Sequence, residues 1–345
     1  MNNCVVGRLA PSPTGALHLG NARSFLLAWL SARQQGGQVI LRIEDIDSPR
    51  VKPWAVQATL TDLSWLGLDW DSGPVPYSIA SETHAPNYSR CAEHARDVQA
   101  PEPSDRIAFI QTHRLPRYQQ VLAQLIEAGV VYPCRCTRRE VSEAASAPHE
   151  NAGQALEGPV YPGTCRQQPF RPEELSADEK FAWRWHFAEG EVGFHDLRLG
   201  ELRAHPKDQL GDFVIARGDG TPAYQLAVVV DDYDMGITEV VRGDDLVYST
   251  FRQLAILQHL GWPQPNYAHV PLVVGPDGRR LAKRHGDTRL SYFREHGITA
   301  ERIVGYLAWT LGMQADARAT HPQELIGRLD WDKLPQQASV FHGKF

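Results

Sequence analysis

Two rounds of alternation open the chain, and they restrict its fold more than any other feature. CVVGRLA is a short apolar run. HLGNARSFLLAWLSARQQGG then has helical spacing through Leu19, Phe25, Leu26, Trp29 and Leu30, with a stop at Gly36-Gly37. QVILRIEDID predicts a second strand and WAVQATLTDLSWLGLDW a second amphipathic helix. Strand, helix, strand, helix in this order builds a parallel α/β sheet. Ligands of such sheets bind at the carboxyl ends of the strands. Pro11 to Gly15 and Glu44 to Asp47 are predicted to lie there.

The first strand runs into RLAPSPTGALHLGNARS, Arg8 to Ser24. Glycine at positions 15 and 20 lets backbone N–H groups approach a ligand closely. A helix starting near His18 aims its unpaired N–H groups at any anion in the turn. The His18 side chain can donate to phosphate oxygens as charge builds on them. His-x-Gly alone is a common tripeptide; the string Pro-Ser-Pro-Thr-Gly-x-Leu-His-x-Gly-Asn is far more specific.

That string resembles the first signature of class I aminoacyl-tRNA synthetases, in the glutamyl branch. RIEDID, DGTPAYQLAVVVDD, VVRGDDL and RRLAKRHGD resemble the same branch. The resemblance covers nearly the whole chain, apart from residues 78–105, which read as an inserted surface excursion. It implies a class I Rossmann-type parallel sheet. It also implies ATP contacts at Pro11, Gly15, His18, Gly20 and Asn21. The basic stretch Arg280-Leu281-Ala282-Lys283-Arg284 resembles the second class I signature. Lys283 is thereby expected to place a point charge on the triphosphate. Arg280 and Ala282 depart from the usual lysine and serine. His18 and Lys283 are the expected catalytic pair, with Mg²⁺ on the phosphates.

A glutamate pocket needs fixed cations for two carboxylates, an anion for the ammonium, and walls. Arginine suits carboxylates best. The resemblance carries glutamate binding onto Arg8, Ser12, Glu44, Tyr224 and Arg242. Asp231 and Asp232 read as turn or capping residues. The implied chemistry is activation of L-glutamate by ATP, then transfer to RNA, with no side-chain nucleophile.

Five cysteines are present, three of them within Cys134-x-Cys136 and Cys165. In a reducing compartment such clustering suggests metal. Three thiolates supply three legs of a tetrahedral zinc site. The residues leave the fourth open between Tyr161 and His149. Some glutamyl-type synthetases carry Cys-x-Cys…Tyr-x3-Cys, and that resemblance implies Tyr161 and one structural zinc ion.

The remaining chain divides by composition. Residues 1–115 are expected to form the first half of the catalytic domain and 116–190 an inserted zinc-binding subdomain. Residues 191–275 follow as the second half, and 276–345 as the basic loop with a short helical stem. DFVIARGDGTPAYQLAVVVDDYDMGITEVVRG predicts sheet, with a hairpin turn at ARGDGTPAY and QLAVVV as strand. STFRQLAILQHLGW predicts a helix. No room for an anticodon-binding domain is seen beyond Lys283. The resemblance therefore extends to a truncated paralogue that places glutamate on the queuosine base of tRNA(Asp). The alternatives are a truncated synthetase charging the tRNA 3′ end, and an inactive RNA-binding paralogue. The net charge of -6 excludes a generally basic nucleic-acid binder but not a local basic groove. No run is long and apolar enough to cross a membrane, and no signal-peptide pattern opens the chain. A cytoplasmic monomer is expected.

Overall fold

The computed structural model describes residues 4–46, 50–75, 109–145, 156–176, 179–279, 281 and 287–343. The excursion expected at 78–105, His149 and Lys283 lie outside the described residues. Strand β1 (Val6–Leu9) and strand β2 (Gln38–Leu41) pair in parallel, Arg8 opposite Ile40. Helix α1 (Leu19–Gln34) crosses between them, and α2 (Pro53–Trp65) follows with proline at its first turn. The expected order of the first seventy residues is thus the observed one.

Helix α3 (Leu115–Glu127) leads into β3 (Val131–Cys134), then α4 (Arg138–Ala145) and the short α5 (Thr164–Gln167). Strand β4 (Ala182–Trp185) pairs antiparallel with β3. The hairpin of β5 (Val192–Asp196) and β6 (Gly200–Ala204) and the single turn α6 (Pro206–Gln209) come next. Strand β7 (Phe213–Arg217) then pairs antiparallel with β4. The three-stranded sheet β3-β4-β7 therefore spans the boundary drawn at residue 190.

After β7 the structure departs from the expectation. The turn at ARGDGT forms, Arg217 N–H meeting Thr221 C=O at 2.8 Å, but only Pro222 returns to pair, with Ala216. Tyr224–Asp234 is helix α7, not a strand. A short run of buried apolar residues lacks the exposed positions that distinguish the two periods. Leu226 to Val230 are all buried, so the helix is wrapped by core on every side.

Strand β8 (Glu239–Gly243), helix α8 (Val247–Leu260) and strand β9 (Asn266–Val270) complete the main sheet. Strands β8 and β9 run parallel, and β9 continues parallel to β5. β1 lies on the other side of β8, where Thr238 N–H meets Val6 C=O at 3.0 Å. The strands thus lie in the order β2, β1, β8, β9, β5, β6. Strand β10 (Val273–Val274) leads to the basic stretch. Helices α9 (Leu290–Glu295) and α10 (Ala300–Thr310) follow it. The end is less helical than expected: 3-10 turns lead to β11 (Ser339–Val340), which pairs in parallel with β10.

Two cores result. One joins α1, β1 and β2 to α2, α9 and α10. The other packs α3, α7 and α8 against β4, β7 and β9. Among the described residues no helix is long and apolar enough to cross a membrane.

Asp62 of α2 is fully buried, and its Oδ1 accepts from Arg294 Nη1 of α9 at 2.9 Å. Its Oδ2 has no hydrogen-bond partner among the described residues. Burial outweighs the single cation and pushes the carboxyl pKa from 3.8 up to about 6. Below 3.8 the group is neutral in both folded and unfolded chains; as pH rises towards 6 the unfolded chain ionises first, so stability falls across that window. Asp62→Asn removes this slope. Relative to wild type it should gain on the order of 1–3 kcal/mol between about pH 4 and pH 7, read by urea unfolding at both. A difference that does not change with pH would contradict the burial argument.

Candidate active site and metal centre

His18 is the N-cap of α1. Its Nδ1 accepts Gly20 N–H at 3.1 Å, and Asn21 Oδ1 accepts His18 N–H at 3.1 Å. The two bonds close a reciprocal cap of the helix. An Nδ1 that accepts leaves the proton on Nε2 of the neutral ring. The outward face of His18 is therefore a donor. A Cβ at Gly20 would lie 3.1 Å from the His18 ring, so glycine gives that ring its place. Asn21 Oδ1 serves the cap. Among the described residues no atom lies within 4 Å of where a Cβ at Gly15 would sit. Pro11 C=O holds Glu44 N–H at 3.0 Å, which ties the turn to the segment after β2.

The chain on both sides of the basic stretch is anchored near this turn. Leu19 N–H meets Thr288 C=O at 3.0 Å, and Leu290 N–H meets Leu17 C=O at 2.9 Å. Leu281 is buried in the same core as α1.

At the carboxyl end of β2, Arg42 is wholly buried. It reaches Asp232 Oδ1 at 2.7 Å and Glu44 Oε1 at 3.0 Å, with Asp231 Oδ2 at 3.5 Å. These carboxylates, with a hydrogen bond to Asp232, raise the guanidinium pKa despite the burial that lowers it. Burial raises the Glu44 pKa, with Arg42 opposing. Asp231 also accepts from Arg114 Nε at 2.7 Å, Gln111 Nε2 at 2.8 Å and the Tyr118 hydroxyl at 2.8 Å. Asp231 and Asp232 are thus buried acceptors inside α7, not turn or capping residues. The helical reading of α7 explains this, because it turns the end of an apolar run inward.

Four of the five expected glutamate-binding residues meet here. Arg8 Nη1 donates to Val241 C=O at 2.9 Å; among the described residues its buried Nε has no hydrogen-bond partner and its nearest carboxylate is Asp232 at 3.9 Å. Desolvation lowers the Arg8 pKa. Arg242 of β8 binds His269 Nε2 at 3.1 Å and Thr250 Oγ1 at 2.8 Å, and its Nη1 lies 3.5 Å from the Tyr224 hydroxyl. Among the described residues no carboxylate lies within 4.0 Å of Arg242. Burial raises the Tyr224 hydroxyl pKa, and Arg242, Glu44 and Arg8 all act on that hydroxyl. Ser12, the fifth, is exposed in the turn, with its C=O taken by Thr14 N–H at 2.8 Å. Two buried arginines therefore lie near the Tyr224 hydroxyl with little compensating charge.

The cysteine cluster forms a separate centre. The sulfurs of Cys134, Cys136 and Cys165 all lie within 4.8 Å of one another. The Tyr161 hydroxyl sits 3.3 Å from Cys134 Sγ and 3.5 Å from Cys136 Sγ, and Cys136 Sγ is 3.4 Å from Cys165 Sγ. A zinc ion 2.3 Å from each sulfur would space tetrahedral sulfurs about 3.8 Å apart. The four side chains fit that geometry. Gly163, at φ 80°, turns the chain back between Tyr161 and Cys165. The Tyr161 oxygen accepts Cys165 N–H at 2.9 Å, and the Arg184 guanidinium lies 3.9 Å over its ring. Both favour an electron-rich phenol. Burial pushes the Cys136 thiol up to about 11 when no ion is present.

A family model described as tRNA synthetases class I (E and Q), catalytic domain, matches residues 4–344. The chain belongs to that family. This class I synthetase is 46% identical to the Glutamyl-Q tRNA(Asp) synthetase of Rhodopirellula baltica, over 99% of this chain and 97% of the relative. It is 44% identical to the protein of that name from Symbiobacterium thermophilum, over 96% and 94% of the two chains. Glutamate--tRNA ligase 1 of Acidithiobacillus ferrooxidans is 39% identical over 97% of this chain and 63% of its own. A crystal structure of a glutamate tRNA ligase from Elizabethkingia meningosepticum in complex with its amino acid superposes with a TM-score of 0.73 at 25% identity. It covers 98% of this chain, which spans 67% of that one. The chain is accordingly an aminoacyl-tRNA synthetase-like ligase.

Asp231→Ala would leave Arg42 and Arg114 buried without their shared acceptor. The expected loss is about 3–5 kcal/mol in chemical unfolding. Asp234→Ala, whose partners Arg114 and Arg117 are more open to water, should lose less. Equal losses would show that Asp231 is not the hub.

Proposed function

We infer that this synthetase activates L-glutamate with ATP and transfers the glutamyl group to the queuosine base of tRNA(Asp). The observation that carries the first half is the pair of buried arginines, Arg8 and Arg242, beside the Tyr224 hydroxyl with little compensating carboxylate. A ligand with two carboxylates supplies the missing charge. Glu44, held by Arg42, offers an anion for the ammonium. The His18 turn beyond β1 offers an Nε2 donor and a helix N-terminus for phosphate oxygens. Lys283 adds a cation from the basic stretch.

A glutamate carboxylate oxygen attacks the α-phosphorus of ATP, and the bond to pyrophosphate breaks. A queuosine ring hydroxyl then attacks the activated carbonyl carbon, loses its proton, and AMP leaves. Arg8, Arg242, His18 and Lys283 act by positioning and by stabilising charge. Mg²⁺ bound to the triphosphate supplies further neutralisation. Cys134, Cys136, Cys165 and Tyr161 would hold one Zn²⁺ with no ligand position left open, a structural role. The names of the relatives from Rhodopirellula baltica and Symbiobacterium thermophilum support the queuosine acceptor over the 3′ end.

The test is transfer of labelled glutamate, with ATP, onto tRNA from cells that make queuosine and from cells that do not. Label only on queuosine-containing tRNA is the expected result. Equal label on both would assign 3′-end charging. Absence of both transfer and glutamate-dependent pyrophosphate exchange would leave an inactive RNA-binding protein. Separately, Cys165→Ser should lower bound zinc, read by elemental analysis, and raise protease sensitivity around residues 134–165. Unchanged metal content would remove the site.

A further inference from the structure

We propose that His269 and Asp196 are positioning residues that aim the Arg242 guanidinium into the amino-acid pocket. The proposal rests on reading Arg242 as a carboxylate-binding residue. Arg242 on β8 and His269 on β9 are direct neighbours in the parallel ladder, and both are buried. Arg242 Nε donates to His269 Nε2 at 3.1 Å. Nη2 donates to Thr250 Oγ1 at 2.8 Å and approaches Leu246 C=O at 3.4 Å. Three contacts thus fix one edge of the guanidinium. Nη1 is left beside the Tyr224 hydroxyl.

The histidine can accept only in one tautomer. Its Nδ1 lies 2.7 Å from Asp196 Oδ2, so the proton sits on Nδ1 and the lone pair of Nε2 faces Arg242. Thr250 Oγ1, having accepted from Arg242, donates its own proton to the same Nε2 at 3.2 Å. Asp196 needs no further cation. It accepts backbone N–H groups from Arg198 at 3.0 Å, Leu199 at 2.9 Å and His269 at 3.1 Å. The charged side chain of Arg198 turns instead to the carbonyls of His269, Pro335 and Gln336.

The choice of imidazole has a physical reason. A carboxylate in place of His269 would also orient Arg242, but it would neutralise it and remove the charge that a substrate carboxylate must meet. A neutral imidazole fixes direction and leaves the full positive charge free. Without that hold, the guanidinium could swing towards the carboxylates of Asp232 and Glu44 around Arg8. Burial keeps His269 neutral, and the nearby Arg242 and Arg8 act in the same sense against Asp196.

The test is steady-state pyrophosphate exchange with glutamate and ATP varied in turn. His269→Asn keeps a donor for Asp196 but cannot reach Arg242. It should raise the KM for glutamate about tenfold, with the KM for ATP nearly unchanged. His269→Gln puts an amide oxygen near the place of Nε2 and should restore most of the loss. Thr250→Val, a milder change, should raise the same KM by less. Arg242→Gln reports on the reading underneath. If it raises the glutamate KM while the His269 variants leave it alone, positioning is overturned and Arg242 stands. If Arg242→Gln leaves it alone, the binding role falls, and positioning with it. Equal rises in both KM values for Asn and Gln at 269, or lower thermal midpoints with unchanged KM, would mark His269 as structural only.

Discussion

The buried guanidinium of Arg42 is the interaction on which the catalytic half depends. It cannot be deprotonated at any working pH, so it must find anions, and it finds three from two elements. Glu44 comes from the same segment after β2, and Asp231 and Asp232 from α7. Asp231 in turn carries Arg114, Gln111 and Tyr118 at the head of α3. One charge thereby fixes β2, α7 and α3 relative to each other. A pair of this kind adds little net stability beyond its desolvation, but losing one member is costly. Its yield is geometry: Tyr224 begins the helix whose far end is held by Arg42.

Around that anchor the charges are uneven. Arg42 is surrounded by carboxylates, whereas Arg8 meets the Val241 carbonyl and Arg242 meets carbonyl, hydroxyl and imidazole. Groups with no charge of their own orient these two arginines without cancelling them. Two guanidiniums with little compensating charge thus lie side by side in a protein whose net charge is -6.

What the sequence made legible follows from how local each signal is. The His18 turn is a contiguous string, and its cap, its glycine and the following helix can be read in order. The Cys134, Cys136 and Cys165 spacing is nearly as local, and Tyr161 falls where the resemblance implied. Arg8, Glu44, Tyr224 and Arg242 came from the family resemblance, because no spacing in one chain brings residues so far apart together. Arg42 was missed although it stands two residues before Glu44; a buried arginine reads as an exposed one until its partners are known. Asp231 and Asp232 were misread because Leu226 to Val230 has no polar face to reveal its period. His269 and Asp196 gave no signal, since their roles exist only across the β5, β8 and β9 ladder.

The pairing of β11 with β10 joins Ser339 and Val340 to the strand that precedes the basic segment. Phe341 N–H meets Val274 C=O at 2.9 Å, and the Phe341 ring packs on Phe293 of α9 and Tyr306 of α10. These pieces are held to the main sheet chiefly by side-chain packing in the core they share with α1. A fusion partner or an affinity tag attached at Phe345 would therefore act on β10, the strand that precedes the basic segment, through its pairing with β11.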